Sequence, residues 1–266
     1  MKKLSIIIPV YNEAPFLRRC LDSVSNAPDD VEIIVIDDAS TDGSTEICKE
    51  YEKRSDAKFT FIYNKENKGV SQSRNIGLCE AHGKYVTFLD SDDEMSERGI
   101  MNMLYHVDRN RAERPIIQFN HSRYYQRTDV YVTKYVNPKG EYGYMNLPKL
   151  WCMVWNKIYL REFIVSNMIM FKDRLPFGED EVFNLRCLKC HPTIYCVDEI
   201  NVIKHFENQE SICHTLNKDK ILGQAEALTR LLREDCSPEY ADLVRRVLAE
   251  HWASEPYKSN LGGTSS

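Results

Sequence analysis

Residues 85–94 read YVTFLDSDDE. Tyr85, Val86, Thr87, Phe88 and Leu89 carry the β-branched and aromatic bias of a buried strand. Asp90, Asp92, Asp93 and Glu94 follow within five positions. Gathered carboxylates repel one another and lose hydration, so a strand tip that carries them needs a counter-charge. A hard cation such as Mg²⁺ or Mn²⁺ can supply it, because both prefer carboxylate oxygens and are often shared with substrate phosphates. A solvated acidic turn is the plain alternative for so short a motif.

The surroundings of this stretch favour the first reading. Leu4 to Val10 is an apolar run, and residues 14–25 place Phe16, Leu17, Cys20, Leu21 and Val24 at helical spacing. Val31 to Ile36 forms a second strand ending in Asp37-Asp38. Residues 44–53 form a helix behind the turn Ser40 to Gly43. Phe59 to Tyr63 is a third strand, residues 71–81 a third helix, and the acidic strand is the fourth. Strands alternating with helices imply a mostly parallel sheet covered on both faces, whose ligands collect beyond the carboxyl ends of the strands. Tyr11-Asn12-Glu13, Asp37-Asp38 and Asp90-Ser91-Asp92 all fall just past strand ends, at one edge of the sheet.

Further along, Pro115–Asn120 and Asp129–Val136 read as strands, and 145–165 mixes apolar residues with Trp151 and Trp155. Residues 219–233 and 238–252 read as two helices with apolar stripes, broken at Ser237-Pro238. Such stripes usually pack on their own domain, but they leave room for a homodimer or for a peripheral place at the inner face of a membrane. The tail Leu261–Ser266 reads as flexible. The resulting division is 1–215 as one catalytic domain, with halves 1–110 and 111–215, and 216–266 as a helical extension.

Bulk properties exclude several classes. With 42% hydrophobic and 28% charged residues in 266, the chain is globular rather than disordered. A net charge of -5 speaks against nucleic acid as a partner. No apolar run approaches the roughly 18 residues of a membrane span, and the N-terminal MKKLSIIIPVYNE reads as a first strand rather than a signal peptide, so a cytoplasmic protein is expected. Nine cysteines without a framework suggest reduced core thiols. Cys187-Leu188-Lys189-Cys190-His191 has the spacing of haem attachment or half a zinc site, but the further candidates Cys196, His205, Cys213 and His214 are irregularly spaced, which favours helix-borne core cysteines.

Five stretches in order, SIIIPVYNE (5–13), VIDDASTDGS (35–44), NKGVSQSRNIGL (67–78), YVTFLDSDD (85–93) and PFGEDEVFN (176–184), together resemble the family 2 glycosyltransferases. The resemblance is strong over about residues 3–100 and continues to about 190. It implies the nucleotide-diphospho-sugar transferase fold of GT-A type, a Rossmann-like α/β sheet sandwiched by helices, and an inverting transfer from a nucleotide sugar, most commonly a UDP-sugar, to a saccharide or lipid-linked acceptor in bacterial surface polysaccharide assembly. The donor set it implies is Pro9, Tyr11, Glu13, Asp38, Arg74, Asp90, Ser91 and Asp92, with Tyr11 flanking the base, Asp38 accepting the uracil N3–H and Arg74 contacting the nucleotide. Asp90 and Asp92 resemble the Asp-x-Asp motif that binds Mn²⁺ or Mg²⁺, and His205 resembles a downstream histidine that completes the metal shell in some relatives. Asp180 resembles the catalytic base, supported by Glu179. Trp155 and Lys157, in WNKIYLREFI, resemble an acceptor-lining segment. The bare residues leave other readings open: acidic residues also suit a helix N-terminus, and both tryptophans suit a core. A nucleotidyltransferase of related fold would normally open on a Gly-rich loop that Ile8 to Glu13 lacks. A non-catalytic nucleotide- or sugar-binding module would not need the full carboxylate set.

Overall fold

The computed structural model of the chain describes residues 2–54, 58–109, 113–126, 128–134, 137–143, 146–147, 153–173, 175, 177–205, 218–233 and 237–253, with the side chains of 218, 248 and 250–253 excepted. Its first half alternates as the patterning implied: β1 (Leu4–Val10), α1 (Ala14–Ser25), β2 (Val31–Asp37), α2 (Ser44–Arg54), β3 (Phe59–Tyr63), α3 (Val70–Glu80) and β4 (Tyr85–Phe88). These four strands pair in parallel in the order β3-β2-β1-β4. Every residue of β1 is buried, because helices cover both faces of the sheet.

The second half is built differently. It contains β5 (Glu94–Met95), α4 (Gly99–Arg109), β6 (Ile116–Tyr125), β7 (Val130–Lys134), β8 (Gly140–Gly143), β9 (Lys157–Leu160), α5 (Arg161–Ser166), α6 (Glu179–Lys189), β10 (Thr193–His205), α7 (Lys218–Arg233) and α8 (Pro238–Ala253). The sheet continues β4-β9-β6-β10-β5, with β7 on β6 and β8 on β10. Strand β9 is antiparallel to both β4 and β6, and β10 returns parallel to β6. Strand β10 carries no clean alternation, since Asp198 and Glu199 interrupt it where its register with β6 shifts between Cys196 and Ile200.

Two apolar layers flank the sheet. One gathers Leu17, Leu21 and Val24 of α1, Ile47 of α2 and Met103 of α4 against one face. The other gathers Leu78 of α3, Val182 and Leu185 of α6, Leu228 and Leu231 of α7, and Tyr240 and Val244 of α8. The apolar stripes of the C-terminal helices therefore pack on their own domain: Tyr240 donates its hydroxyl to the carbonyl of Leu185 at 2.9 Å inside that layer. The extension expected from 216 onward shares the core of α6. Cys187 is buried on α6, and Cys190 Sγ turns back to the carbonyl of Arg186. Cys213, His214, Trp151, Leu248, Trp252 and the tail at 261–266 lie outside the described residues or side chains. No described helix is long and apolar enough to cross a membrane.

Helix α3 lies closest to the sheet where its side chain disappears. A Cβ on Gly77 would stand 2.4 Å from Ile7 Cγ2 and 3.1 Å from Ile36 Cδ1. Alanine-like helix propensity would return about 1 kcal/mol, less than overpacking removes. Gly77→Val is expected to lower stability by about 2–3 kcal/mol in urea denaturation, with an unchanged m-value.

Candidate active site

The site assembles where three chain segments end at one sheet edge. After β4 the chain runs through Leu89, buried, into Asp90, Ser91, Asp92 and Asp93. Strands β1 and β2 deliver Asn12 and Ala39 in left-handed backbone conformations, φ 55° and 60°. Their loops are tied together, with Asn12 N–H donating to Ser40 Oγ at 3.0 Å and Thr41 N–H to Asn12 Oδ1 at 2.8 Å.

Arg74 of α3 is the centre of the arrangement. Its side chain is 4% exposed. It bonds Asp90 Oδ1 at 2.9 Å, Glu179 Oε1 at 2.8 Å and Asp180 Oδ1 at 2.8 Å. Its guanidinium lies 5.3 Å from the ring centre of Phe171, and that ring stacks on Phe183 of α6. Asn75 fixes the Phe171 backbone from both sides, donating to its carbonyl and accepting its N–H. The resemblance implied a nucleotide contact for Arg74; within the protein the guanidinium joins Asp90, just past β4, to the first turn of α6. Burial works to lower the Arg74 pKa, but Asp180, Asp90 and Glu179 outweigh it and hold the group firmly charged.

Gly178 turns the chain into α6 with φ 81°, and a Cβ there would meet Gln224 at 2.5 Å. Asp180 then faces Arg74, and its other oxygen accepts the Val154 N–H at 3.3 Å. Asn184 donates to its backbone carbonyl and is itself held by the Tyr159 hydroxyl. Burial, with the charges of Glu179 and Asp90, pushes the Asp180 carboxyl up to about 7 against the pull of Arg74. A carboxylate so tuned is suited to take a proton near neutral pH.

On the far side of Asp90 stands a residue the sequence reading passed over. Lys204 of β10 reaches Asp93 Oδ2 at 2.7 Å and Asp90 Oδ2 at 3.2 Å, with Asp92 Oδ1 at 4.0 Å. Asp93 also accepts the His205 backbone N–H at 2.9 Å and is fully buried. Burial and the neighbouring carboxylates push Asp93 up against the attraction of Lys204, while those carboxylates overcome burial to hold Lys204 charged. Burial also works to raise Asp90, but Lys204 and Arg74 keep it below the ordinary carboxylate value. The available signal was a lysine inside the strand-like run NVIKH, since lysine is seldom buried unless paired.

Oxygens of Asp90, Asp92 and Asp93 all lie within 4.8 Å of one another, the only such potential metal group among the described residues. All-oxygen carboxylate donors of this kind fit Mn²⁺ or Mg²⁺. His205 does not join them. Consecutive strand residues point to opposite faces, and with Lys204 on the cluster side the His205 ring lies 3.2 Å from Glu94 and packs on Tyr124.

Other expected residues are distributed unevenly. Tyr11 is 47% exposed beside the loops, Glu13 is half-buried at the start of α1, and Pro9 is buried within β1. Asp38 is 2% exposed and already accepts from Asn64 Nδ2, Lys68 N–H and Gly69 N–H at 2.7–3.1 Å. Those donors use its lone pairs to hold the turn before α3, so a base N–H would have to compete with its own loop. Beside that turn is a cavity of about 460 Å³ lined by Glu66, Asn67, Lys68, Gly69, Gln72 and Asp173. Trp155 and Lys157 are buried rather than open to an acceptor. The Lys157 ammonium caps the Met153 carbonyl at 2.6 Å and meets Asn156 Oδ1, and the Trp155 indole packs on His121 beneath the Lys204 ammonium.

The model of the family described as glycosyl transferase family 2 matches residues 5–165, more than half of the chain and all of the donor-side segments above. The chain belongs to glycosyl transferase family 2. Among its relatives, the uncharacterized glycosyltransferase EpsJ of Bacillus subtilis is 30% identical over 74% of this chain and 59% of its own length. The poly(ribitol-phosphate) β-N-acetylglucosaminyltransferase TarS of Staphylococcus aureus is 24% identical over 70% of this chain and 32% of its own. This chain thus spans well under two thirds of those relatives. In three dimensions it resembles TarS 1-349 in complex with UDP-GlcNAc, with a TM-score of 0.78 over 98% of this chain and 76% of that one at 20% identity. It also resembles a Pyrobaculum calidifontis mannosyltransferase in complex with GDP-Man and Mn²⁺, with a TM-score of 0.66, 16% identity and 99% and 76% of the two chains covered. These likenesses establish the GT-A fold for this family 2 member.

Removing the guanidinium would leave Glu179 and Asp180 crowded without their shared cation and take from Asp90 one of its two. Arg74→Ala is expected to cost about 3–5 kcal/mol in chemical denaturation, the usual penalty for breaking a buried ion pair. Arg74→Lys should recover only part, because a single ammonium cannot satisfy three acceptors in fork geometry.

Proposed function

We propose that this family 2 glycosyltransferase transfers a sugar, with inversion, from a UDP-sugar to a hydroxyl of a saccharide, polyol-phosphate or lipid-linked acceptor in bacterial surface-polymer synthesis. The observation that carries the reading is the Arg74 bridge. One guanidinium holds Asp90, at the end of the acidic strand, and Asp180, the carboxylate tuned to about 7, at 2.9 and 2.8 Å. A donor held at the acidic strand and an acceptor hydroxyl presented to Asp180 would then be in fixed register.

In the proposed reaction Asp180 takes the acceptor hydroxyl proton as the oxygen forms its bond to the anomeric carbon. The bond from that carbon to the diphosphate breaks at the opposite face, and the electron pair leaves with UDP. Glu179 and Arg74 keep the Asp180 carboxylate aimed, while Asp90 and Asp92 face the diphosphate. A divalent cation bound at these oxygens would neutralise charge developing on the leaving group. Tyr11, exposed at the lip, flanks the base, and the cavity beside Lys68 and Gly69 offers room of nucleotide-site size. UDP is favoured by the TarS likeness, whose crystal structure is in complex with UDP-GlcNAc, and a surface polymer by the relationship to TarS, a poly(ribitol-phosphate) β-N-acetylglucosaminyltransferase.

The reading is tested by screening UDP-sugars against teichoic-acid and exopolysaccharide fragments, following UDP release and product mass. Asp180→Asn is expected to lower turnover by about 10²–10⁴-fold while UDP affinity stays within a few-fold, since a proton acceptor is removed and the donor contacts remain. Full transfer by that variant would remove Asp180 from its role. The pH dependence has a definite sign. The base works deprotonated, so turnover should rise with pH through an apparent pKa of about 7 and level off above it. A profile flat from pH 5 to 8 would contradict the assignment.

A further inference from the structure

We propose that Lys204 is a resident counter-cation of the Asp90–Asp92–Asp93 cluster, holding it assembled without a divalent ion and setting its affinity for one. Resting on the donor-site reading above, the proposal concerns a residue that no motif singled out.

The position of the ammonium carries the inference. Lys204 Nζ is 2.7 Å from Asp93, 3.2 Å from Asp90 and 4.0 Å from Asp92. The three carboxylates gather oxygens within 4.8 Å of one another, a span one small cation can bridge. An ammonium that approaches all three stands where a shared metal ion would draw most of its coordination. The lysine is not a surface side chain that happened to fold inward. It leaves the stretch Val202–His205 that pairs with β6, and its head group rests 5.7 Å from the ring centre of Trp155. The buried tryptophan is therefore the floor of the cation site.

The charges follow from this. Asp90 is claimed from both sides, by Arg74 at 2.9 Å and Lys204 at 3.2 Å. Asp93 is claimed by Lys204 and the His205 N–H. The Asp92 carboxylate stands 4.0 Å from the ammonium, the longest of the three approaches, while its backbone carbonyl accepts from Arg19 at 2.6 Å, so it is the carboxylate best able to open a coordination shell. A divalent ion entering the free protein meets a cluster that already holds a positive charge at its centre and must displace or oppose the ammonium. A nucleoside diphosphate brings new negative charge to the same place and tips the balance towards the metal. Weak uptake of the ion alone and strong uptake with nucleotide follow from Lys204 itself.

Mn²⁺ titrations monitored by electron paramagnetic resonance, with and without UDP, test this on the full chain. Lys204→Met is expected to bind Mn²⁺ without nucleotide at least about tenfold more tightly than the unmodified protein, because a like charge a few ångströms from the ion has gone. Lys204→Arg, which retains the charge, should stay weak. Lys204→Gln keeps a donor for Asp93 and stands in if the methionine chain does not fold. The folded neutral variants binding Mn²⁺ no more tightly than the unmodified protein, while UDP and Mn²⁺ still bind together, would overturn the role of Lys204 alone. No uptake of Mn²⁺ with UDP by any form would overturn the donor-site reading and this proposal with it.

Discussion

Everything at this edge of the sheet depends on keeping five carboxylates close together in a poorly hydrated place. Asp90, Asp92, Asp93, Glu179 and Asp180 come from two distant stretches of chain, and left alone they would repel one another and protonate. Two basic side chains oppose that, Arg74 from α3 and Lys204 from β10, and Asp90 lies between them, touched by both and held below the ordinary carboxylate value. The two halves of the sheet thus converge on one carboxylate. The hydrogen-bonded clamp of Asn75 on Phe171 and the stack of Phe171 on Phe183 fix the guanidinium from below, so the ion pairs are supported by apolar packing rather than by solvent-exposed side chains.

The parallel half was legible because its strands are buried on both faces and its helices carry strong stripes. The limits expected for α1 and β3 agree with those found, and the acidic tip stands out because charge follows directly on an apolar run. The longest strand, β10, was not legible. Its register slips at two places around Asp198 and Glu199, which erases the period of two that marks a strand. That one omission hid Lys204 and left His205 as a candidate metal ligand. Strand alternation sends the two neighbours to opposite faces, and only the pairing partners reveal which goes where.

Roles were harder to read than positions. Arg74, Asp90, Asp92, Glu179 and Asp180 do come together, as their motifs implied, but a motif names a residue without naming its partners. Arg74 joins carboxylates from two stretches of chain, and Asp38 spends its oxygens on the turn before α3. Trp155 and Lys157 sit inside the fold because β9 is a middle strand of the sheet, flanked by β4 and β6, which a local reading of WNKIYLREFI does not disclose.

Gln224 gives the C-terminal helices a stake in the chemistry. Its amide donates to Glu181 at 2.7 Å inside the protein, and its side chain fills the space that the missing Cβ of Gly178 leaves open. Gly178 and Glu181 bracket Glu179 and Asp180. The orientation of Asp180 is thus registered against a helix some forty residues further along the chain, by one side chain seated where Gly178 has no Cβ. Gly178, Glu181 and Gln224 therefore work as one joint, and a change of side chain at any of the three is felt at Glu179 and Asp180.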